Sequence, residues 1–322
     1  MYLLKYSILL ILAILYLPRP AFADDSEVVI PLNFWSSQRV LSKAVGTILE
    51  EHGMAVEYKE ISASDQWGAM QRGVVHFQVE VWQSSMEGIF NSMLEKGHVV
   101  DLGNHQSTTR EEWWYPLYVE EQCPGLPDWQ ALKSCAAIFT NGSHKGIYIN
   151  GPWEYDDANL IRALDLEFTL VRVASEAELW RALNQAQQHK KPILMLNWTP
   201  NWTDKYIPGR FVEFPAYHPQ CDIEPRWGIS PDFVRDCGNP KQGWLKKVAW
   251  PGLQGHHPCV VALLKAMDFS TEMIAEASSM VAVEGQDQHV AAKHWLDKFA
   301  EEVLPWKAAL AQCLAEQSSS ER

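Results

Sequence analysis

The chain has 322 residues, of which 47% are hydrophobic and 21% charged, and this composition is typical of a globular protein large enough for two domains. Its formal net charge of −13 argues against a nucleic-acid partner, which needs a basic face, and no run of lysine and arginine indicates binding to a membrane surface. Tryptophan is the exception in this composition, with 15 residues, although a single tryptophan most often packs in a core.

The first 23 residues have the pattern of a secretory signal peptide. Lys5 supplies a positive charge, Ser7–Leu17 is a short apolar run, and Ala21–Ala23 matches the small-x-small cleavage pattern. The apolar run is too short for a membrane-spanning helix, and no cysteine follows Ala23 to carry a lipid anchor. We therefore expect cleavage after Ala23 and export of a soluble protein, most simply to a bacterial periplasm.

Strands and helices alternate over the first part of the mature chain. Helix starts are indicated by Ser36 or Ser37 and by Ser64 or Asp65, and glycines follow the predicted helix ends. Apolar patterns predict strands at Val28–Asn33, Ala55–Ile61, His76–Val81 and Val99–Leu102, and a further helix at Met86–Lys96. This alternation predicts an α/β fold with a parallel sheet and crossover helices.

A second alternating series follows an aromatic stretch. Glu111–Glu121 is extended, aromatic and broken by Pro116, and we interpret it as the first crossover between two lobes. Strands are then predicted at Gly146–Asn150, Phe168–Val173 and Pro192–Trp198, with one helix that begins at Asp156 or Asp157 and another at the capping box Ser175–Glu178.

The C-terminal part is predicted to return to the first lobe. Phe211–Gly255 is rich in proline, glycine, cysteine and tryptophan, which indicates a long stretch dominated by loops. Apolar residues at spacings of three and four predict helices at Pro258–Met267, Ser270–Val283 and Gln288–Val303. The predicted organisation is a signal peptide at residues 1–23, a first lobe of residues 24–114 and 223–322, and a second lobe of residues 115–222.

Six cysteines suit the oxidising compartment that the signal peptide implies. Pairing between neighbours in the sequence would join Cys123 to Cys135, Cys221 to Cys237, and Cys259 to Cys313. Six cysteines allow fifteen connectivities, however, and the sequence does not choose among them. A metal site is not indicated, because no C-x-x-C motif occurs and no histidine pair with ligand spacing lies beside the cysteines.

Four tryptophans stand where a predicted strand ends. Trp35 lies in LNFWSS, Trp82 in VEVWQSS, Trp153 in YINGPWE and Trp198 in KPILMLNWTPNWTD, which also contains Trp202. Ligands of open α/β sheets bind at the carboxyl ends of strands. An indole face attracts a cation by about 0.5 to 2 kcal/mol per contact, and a methylated ammonium cannot donate strong hydrogen bonds. Three or four converging rings could therefore bind such a cation without a salt bridge.

The sequence contains no motif of a known catalytic class. G-x-S-x-G, H-E-x-x-H and Walker loops are all missing. The acidic pairs Glu111/Glu112 and Glu120/Glu121 could be compared with glycosidase carboxylates, but we interpret each pair as part of a solvated face. We expect no enzymatic activity, no metal and no cofactor.

The motifs resemble those of the substrate-binding proteins of glycine betaine/proline betaine ABC importers, a family that includes choline-binding relatives. The resemblance extends from Val28 to Trp306. It rests on the opening strand with Trp35, on VEVWQ at Val79–Gln83, on Gly-Pro-Trp at Gly151–Trp153 and, most specifically, on NWTPNW at Asn197–Trp202. It implies a two-lobed type II periplasmic-binding-protein fold of the α/β class, with two strands crossing the hinge and the ligand in the cleft between the lobes.

The resemblance also implies which residues bind the ligand. Trp82 from the first lobe would form a cage with Trp153 and Trp198 from the second, and Trp35 stands where choline-binding relatives use a pocket tryptophan. Betaine binders of this family often place a histidine shortly after the first cage tryptophan, whereas this chain has Gln83–Met86 there. Further candidate ligand contacts are Gln83, Ser84, Glu154 and Trp202.

The nature of the ligand remains open at this point. Gln83, hydroxyl groups or helix N-terminal amides could receive a ligand carboxylate. Glu154 would instead favour choline or trimethylamine N-oxide if it faces the pocket, although a solvent-facing acid at the entry of a helix is the alternative.

The function that the resemblance implies is capture of a small methylated amine or betaine in the periplasm. The ligand would be glycine betaine, proline betaine, choline or trimethylamine N-oxide, delivered by a monomer to an inner-membrane ABC permease with its ATPase. One alternative is a secreted carbohydrate-binding protein or glycoside-active enzyme, because tryptophans also stack on sugar rings. Another is a sensor subunit that signals to a membrane receptor.

Overall fold

Two β-sheets, one small and one large, form the framework of the chain. The computed structural model describes residues 27–140, 142 and 144–320, so the expected signal peptide and its cleavage site lie outside the described residues. In the small sheet, β1 (Glu27–Leu32) and β2 (Ala55–Glu60) pair in parallel and are connected by helix α1 (Ser36–Glu51). Gly53 follows this helix with φ of 80°, a left-handed conformation that glycine adopts without steric cost.

The large sheet is mixed. Its strands are β3 (Phe77–Trp82), β4 (Val100–Pro116), β5 (Gly146–Asn150), β6 (Phe168–Arg172), β7 (Met195–Thr199), β8 (Gly209–Phe211) and β9 (Gly243–Ala249). They lie in the order β3-β9-β4-β7-β5-β6, and β8 also pairs with β4. Strand β5 is parallel to β6 and β7, as the alternating pattern predicts. The expectation of a parallel sheet is wrong for β4 and β9. Strand β9 is antiparallel to both β3 and β4, and β4 is also antiparallel to β7 and β8.

Strand β4 connects the two halves of the large sheet. Its residues from Val100 to Thr109 pair with β9, and those from Arg110 to Trp114 pair with β7. The predicted short strand Val99–Leu102 is thus only the start of a 17-residue strand. The residues after Leu102 are mostly polar and do not alternate with apolar ones, so the sequence pattern does not predict that the strand continues. For the same reason β9, with its two lysines, was missed within the loop-dominated region.

Eleven further α-helices follow α1 among the described residues. They are α2 (Asp65–Gln71), α3 (Gln83–Glu95), α4 (Ala131–Cys135), α5 (Asp157–Ala163), α6 (Glu176–His189), α7 (Thr203–Tyr206), α8 (Leu253–His256), α9 (Pro258–Ala266), α10 (Thr271–Ala282), α11 (Gln288–Lys298) and α12 (Ala300–Ser320). Ser175 caps α6 as expected, by accepting a hydrogen bond from the Glu178 backbone N–H. The last predicted helix is in fact two, because α11 ends before Phe299 and α12 continues to Ser320. None of the helices in the described ranges is long and apolar enough to cross a membrane.

The C-terminal helices pack on the first part of the chain around an aromatic core. Helices α10 and α11 contact α1, and α9 contacts α12. Trp295 is fully buried there, with Phe269, Phe299 and Trp306 around it at ring distances of 5.1 to 6.4 Å. This core packs against α1, whose N-cap residue is Trp35.

The three disulfides are those between neighbouring cysteines. Cys123 is bonded to Cys135, Cys221 to Cys237, and Cys259 to Cys313, with Cα–Cα distances of 5.5, 6.1 and 5.3 Å. The third joins α9 to α12 and therefore ties the end of the described chain to the C-terminal core.

Candidate functional site

Four tryptophans at strand ends line one cleft of about 1100 Å³. Trp35 follows β1, Trp82 ends β3, Trp198 belongs to β7, and Trp153 lies between β5 and α5. Strand β3 is in the half of the large sheet that pairs with β9, whereas β7 is in the other half. The cleft therefore receives aromatic rings from both sides of the shared strand β4.

Trp35 and Trp82 are held by a single buried carboxylate. Glu80 is 0% exposed, and its Oε2 atom accepts hydrogen bonds from Trp35 Nε1 at 2.6 Å and Trp82 Nε1 at 3.1 Å. Ser37 Oγ donates to the same oxygen at 3.0 Å. Burial raises the pKa of Glu80 to about 7, while the two indole N–H groups and Ser37 act in the opposite direction by stabilising the ionised form.

Trp153 and Trp198 belong to a row of aromatic rings. Their ring centroids are 5.1 Å apart, at an interplanar angle of 82°, which is a favourable edge-to-face arrangement. Trp180 lies 5.2 Å behind Trp198, and Trp202 lies 5.2 Å beyond Trp180. Trp202 is therefore a support for the ring row, and it is not among the described residues that line the cleft.

Glu111 lines the cleft and is buried, with 3% exposure, so its expected place on a solvated face is wrong. It lies opposite Trp198 in the β4–β7 register. It accepts hydrogen bonds from Ser85 Oγ at 2.8 Å, from Ser85 N at 3.3 Å, and from the Tyr155 hydroxyl. Burial raises the pKa of Glu111, and the hydrogen bonds from Tyr155 and Ser85 oppose this shift. The carboxyl group thus joins β4, the start of α3 and the segment after β5.

Two more buried acids line the same cleft. Glu112, also expected on a solvated face, is only 2% exposed and accepts hydrogen bonds from Trp113 N at 3.1 Å and Asn239 N at 2.8 Å. Burial raises its pKa to about 7. Asp157 accepts hydrogen bonds from Trp113 Nε1 at 2.8 Å and from Asn150 Nδ2, and burial raises its pKa as well. Glu112 is covered by the loop before β9 that contains Asn239, whereas Asp157, at the start of α5, packs against Trp113 of β4.

Acidic side chains dominate the charge of the cleft. Among the described lining residues, Arg235 is the only basic one, and it forms an ion pair with Asp156. The further acidic lining residues are Glu87, Glu154, Asp156 and Asp222. A ligand with exposed positive charge is attracted to such a cleft, and a free carboxylate is repelled.

Of the remaining residues predicted to contact the ligand, some line the cleft and others do not. Ser84 lines the cleft, and Glu154 lines it with an exposed side chain. Gln83 is not among the described lining residues, and its side chain instead accepts a hydrogen bond from Trp244 N and donates one to Glu87.

Several residues that line the cleft were not predicted from the sequence as ligand contacts. These are Trp67 from α2, Tyr155, Tyr217 and the buried acids described above. Tyr155 stands two residues after Trp153, so the same strand-end argument could have included it. Trp67 lies on a helix and carried no such signal. Trp113 is stacked on Tyr148 at 3.9 Å, inside the core.

The fold and the cleft define a solute-binding protein of the type II periplasmic-binding-protein fold. Residues 26–298 match the family model for the substrate-binding domain of the ABC-type glycine betaine transport system, and the chain belongs to this family. The chain is 36% identical over 289 residues to the trimethylamine N-oxide-binding protein of Pelagibacter ubique (strain HTCC1062), an alignment that covers 85% of this chain and 89% of that protein.

Two solved structures show the same fold at lower sequence identity. One is an ABC-transporter choline-binding protein in complex with choline, with a TM-score of 0.70 and 18% identity, covering 90% of this chain and 98% of that chain. The other is lactococcal OpuAC complexed with glycine betaine, with a TM-score of 0.65 and 18% identity, covering 87% of this chain and 99% of that chain.

The family membership confirms the expected class of function. The chain is a substrate-binding component of ABC-type transport and not an enzyme. Members of this family are extracellular or periplasmic proteins that bind small betaine- or choline-type ligands and work with an ABC transporter. The alternative of a carbohydrate-active protein is not favoured.

Proposed function

We propose that the four tryptophans Trp35, Trp82, Trp153 and Trp198 form a cage that binds trimethylamine N-oxide. The observation that carries this proposal is the combination of a four-tryptophan cleft with an excess of buried acids. The rings attract the methylated nitrogen, and the relative with 36% identity is a trimethylamine N-oxide-binding protein.

The charge of the cleft favours this ligand over glycine betaine. Glycine betaine carries a full carboxylate that needs a cationic or N–H partner. The one basic group among the described lining residues, Arg235, is already paired with Asp156. Glu112 would repel a carboxylate whenever it is ionised. An N-oxide carries its negative charge on a single oxygen next to the nitrogen, so it needs one hydrogen-bond donor and no counter-ion.

Glu111 is the group that we assign to the N-oxide oxygen. This oxygen only accepts hydrogen bonds, so its partner must carry a proton. Burial raises the pKa of Glu111, and in its protonated form this carboxyl can donate a hydrogen bond. Tyr155 and Ser85 hold the carboxyl in place through their hydrogen bonds. Choline, in contrast, has a hydroxyl donor and would prefer an ionised Glu111.

The size of the ligand limits the affinity. Small ligands gain at most about 1.5 kcal/mol per heavy atom, so the five heavy atoms of trimethylamine N-oxide allow about 7.5 kcal/mol. This corresponds to a Kd in the low micromolar range. A tighter complex would require a larger ligand than the one proposed.

The proposal includes the biological setting of the chain. Cleavage after Ala23 produces a periplasmic monomer that delivers its ligand to an inner-membrane ABC permease with its ATPase. Residues 24–114 and 223–322 form one lobe and residues 115–222 the other. The change of partner along β4, from β9 to β7, supports a hinge in this strand. The ligand favours the closed state because it contacts both lobes only there.

Isothermal titration of residues 24–322 tests the proposal. Trimethylamine N-oxide, choline, glycine betaine and maltose are titrated at equal concentrations. We expect micromolar binding of trimethylamine N-oxide, weaker binding of choline and glycine betaine, and no response to maltose. Tighter binding of glycine betaine would contradict the charge argument, and binding of maltose alone would contradict the cage itself.

A further inference from the structure

Glu80 is a buried carboxylate behind the cage, and its presence there is not explained by contact with a ligand. It is not among the described residues that line the cleft. Its Oε2 atom receives three donors, Trp35 Nε1, Trp82 Nε1 and Ser37 Oγ, whereas Oε1 has no hydrogen-bond partner among the described residues. One oxygen atom therefore fixes two of the four cage rings relative to each other.

The surroundings of Glu80 do not compensate its charge. The groups that act on it are Trp35 and Ser37 at the start of α1, Trp82 on its own strand, and Glu176 at the start of α6. None of these groups is a cation, and Glu176 is itself a buried acid. Burying a carboxylate without a cationic partner is unfavourable, and a neutral acceptor would hold two indole N–H groups at lower cost. The charge therefore requires an explanation beyond packing.

The chemistry of the indole ring provides one. A tryptophan face attracts a cation because its π-electrons carry negative charge. A carboxylate that accepts the indole N–H forms a charge-assisted hydrogen bond and pushes electron density into the ring. Each of the two rings on Glu80 then presents a more negative face to the cleft. A glutamine in the same place would hold the rings without this effect.

We propose that Glu80 is a positioning residue of the cage, which holds Trp35 and Trp82 and, when ionised, strengthens their attraction for a methylated ammonium. This inference rests on the proposed function for its ligand. It predicts that the affinity for trimethylamine N-oxide depends on the charge of a residue that the ligand does not touch.

The test compares wild type, Glu80→Gln and a matched control, Glu176→Gln. The control removes another buried acid next to the start of α1, one that binds Ser36 and no cage ring. Affinity for trimethylamine N-oxide is measured by titration at pH 8 and pH 5.5. The quotient of wild-type and Glu80→Gln affinities at each pH removes the shared contributions of Glu111, Glu112 and Glu176.

We expect Glu80→Gln to bind about tenfold more weakly than wild type at pH 8, since one strengthened cation–π contact is of this order. The difference should shrink at pH 5.5, where the wild-type carboxyl is protonated. Equal affinities at pH 8, the same loss at both pH values, or an equal loss in Glu176→Gln would each overturn the inference.

A second measurement needs no ligand and separates this inference from the proposed function. The indole N–H resonances of Trp35 and Trp82, assigned by single Trp→Phe variants, are followed by NMR from pH 8 to pH 5.5. Both should move together with pH in wild type and remain fixed in Glu80→Gln. Failure of wild type to bind trimethylamine N-oxide, with these shifts present, would refute the ligand assignment only. Absence of the shifts would refute the role of Glu80.

Discussion

Replacing Trp198 by alanine removes the ring at the centre of the aromatic row. Trp198 is 5% exposed and lies 5.1 Å from Trp153 and 5.2 Å from Trp180. The variant loses one cation–π contact, of about 0.5 to 2 kcal/mol, and the edge-to-face support of Trp153, of about 0.5 to 1.5 kcal/mol. The sum, about 1 to 3.5 kcal/mol, predicts a loss of roughly 5- to 300-fold in affinity for trimethylamine N-oxide.

The assay is isothermal titration, with far-UV circular dichroism and thermal melting to follow the fold. Truncation of a buried tryptophan lowers the free energy of unfolding by about 3 to 5 kcal/mol, so a lower Tm with a native spectrum is expected. Trp198→Phe keeps a smaller aromatic face and should show an intermediate loss. Trp227 is 50% exposed and stacked on His218, outside the described cleft lining, so Trp227→Ala should bind like wild type. Wild-type affinity of a folded Trp198→Ala variant would refute the cage.

Three further predictions concern the cleft and its frame. Trp82→Ala should reduce the affinity for trimethylamine N-oxide by a similar factor in titration, with an unchanged far-UV spectrum; retained binding would contradict its place in the cage. Burial raises the pKa of Glu80, Glu112 and Glu176 to about 7 in the folded chain. Between about pH 4.5 and 7 these three groups bind more protons in the folded chain than in the unfolded chain. They outnumber the buried His76 and His105, whose lowered pKa acts in the opposite direction below about pH 6.5, so the free energy of unfolding should fall as the pH rises toward 7. Thermal melts of the ligand-free protein would show this as a Tm that is higher at pH 5.5 than at pH 8, and a rising Tm would contradict it. Replacing Cys259 and its partner by serine should lower the free energy of unfolding by about 2 to 4 kcal/mol in denaturant titrations, because the bond closes a loop with a sequence separation of 54 residues. Unchanged stability in the double variant would contradict that estimate.

The sequence predicted the aromatic half of the site better than its acidic half. Trp35, Trp82, Trp153 and Trp198 were identified because each follows an apolar strand, and a strand end has a defined place in an α/β sheet. Glu80 was missed because it stands within a strand whose residues are all buried. Its side chain could be placed only after the partners of that strand were known.

The burial of adjacent acids was equally hidden. Successive residues of a strand point to opposite faces, so a pair of neighbouring glutamates is expected to place at least one side chain in solvent. In β4 both Glu111 and Glu112 are buried, because the start of α3 covers one and the loop that contains Asn239 covers the other. These contacts join residues that are far apart in the sequence, 26 and 127 positions. Local patterns do not carry such information.

The start of α1 has no capping side chain of its own. Trp35 occupies the N-cap position without a side-chain hydrogen bond to the helix. The Ser36 backbone N–H instead donates a hydrogen bond at 3.0 Å to Oε2 of Glu176, a residue 140 positions away in the sequence. An amide that depends on a distant segment for its acceptor exchanges with solvent when that segment moves away. Because Ser36 and Glu176 belong to different proposed lobes, we predict that amide exchange at Ser36 slows when a ligand closes the cleft, and equal rates with and without ligand would contradict this prediction.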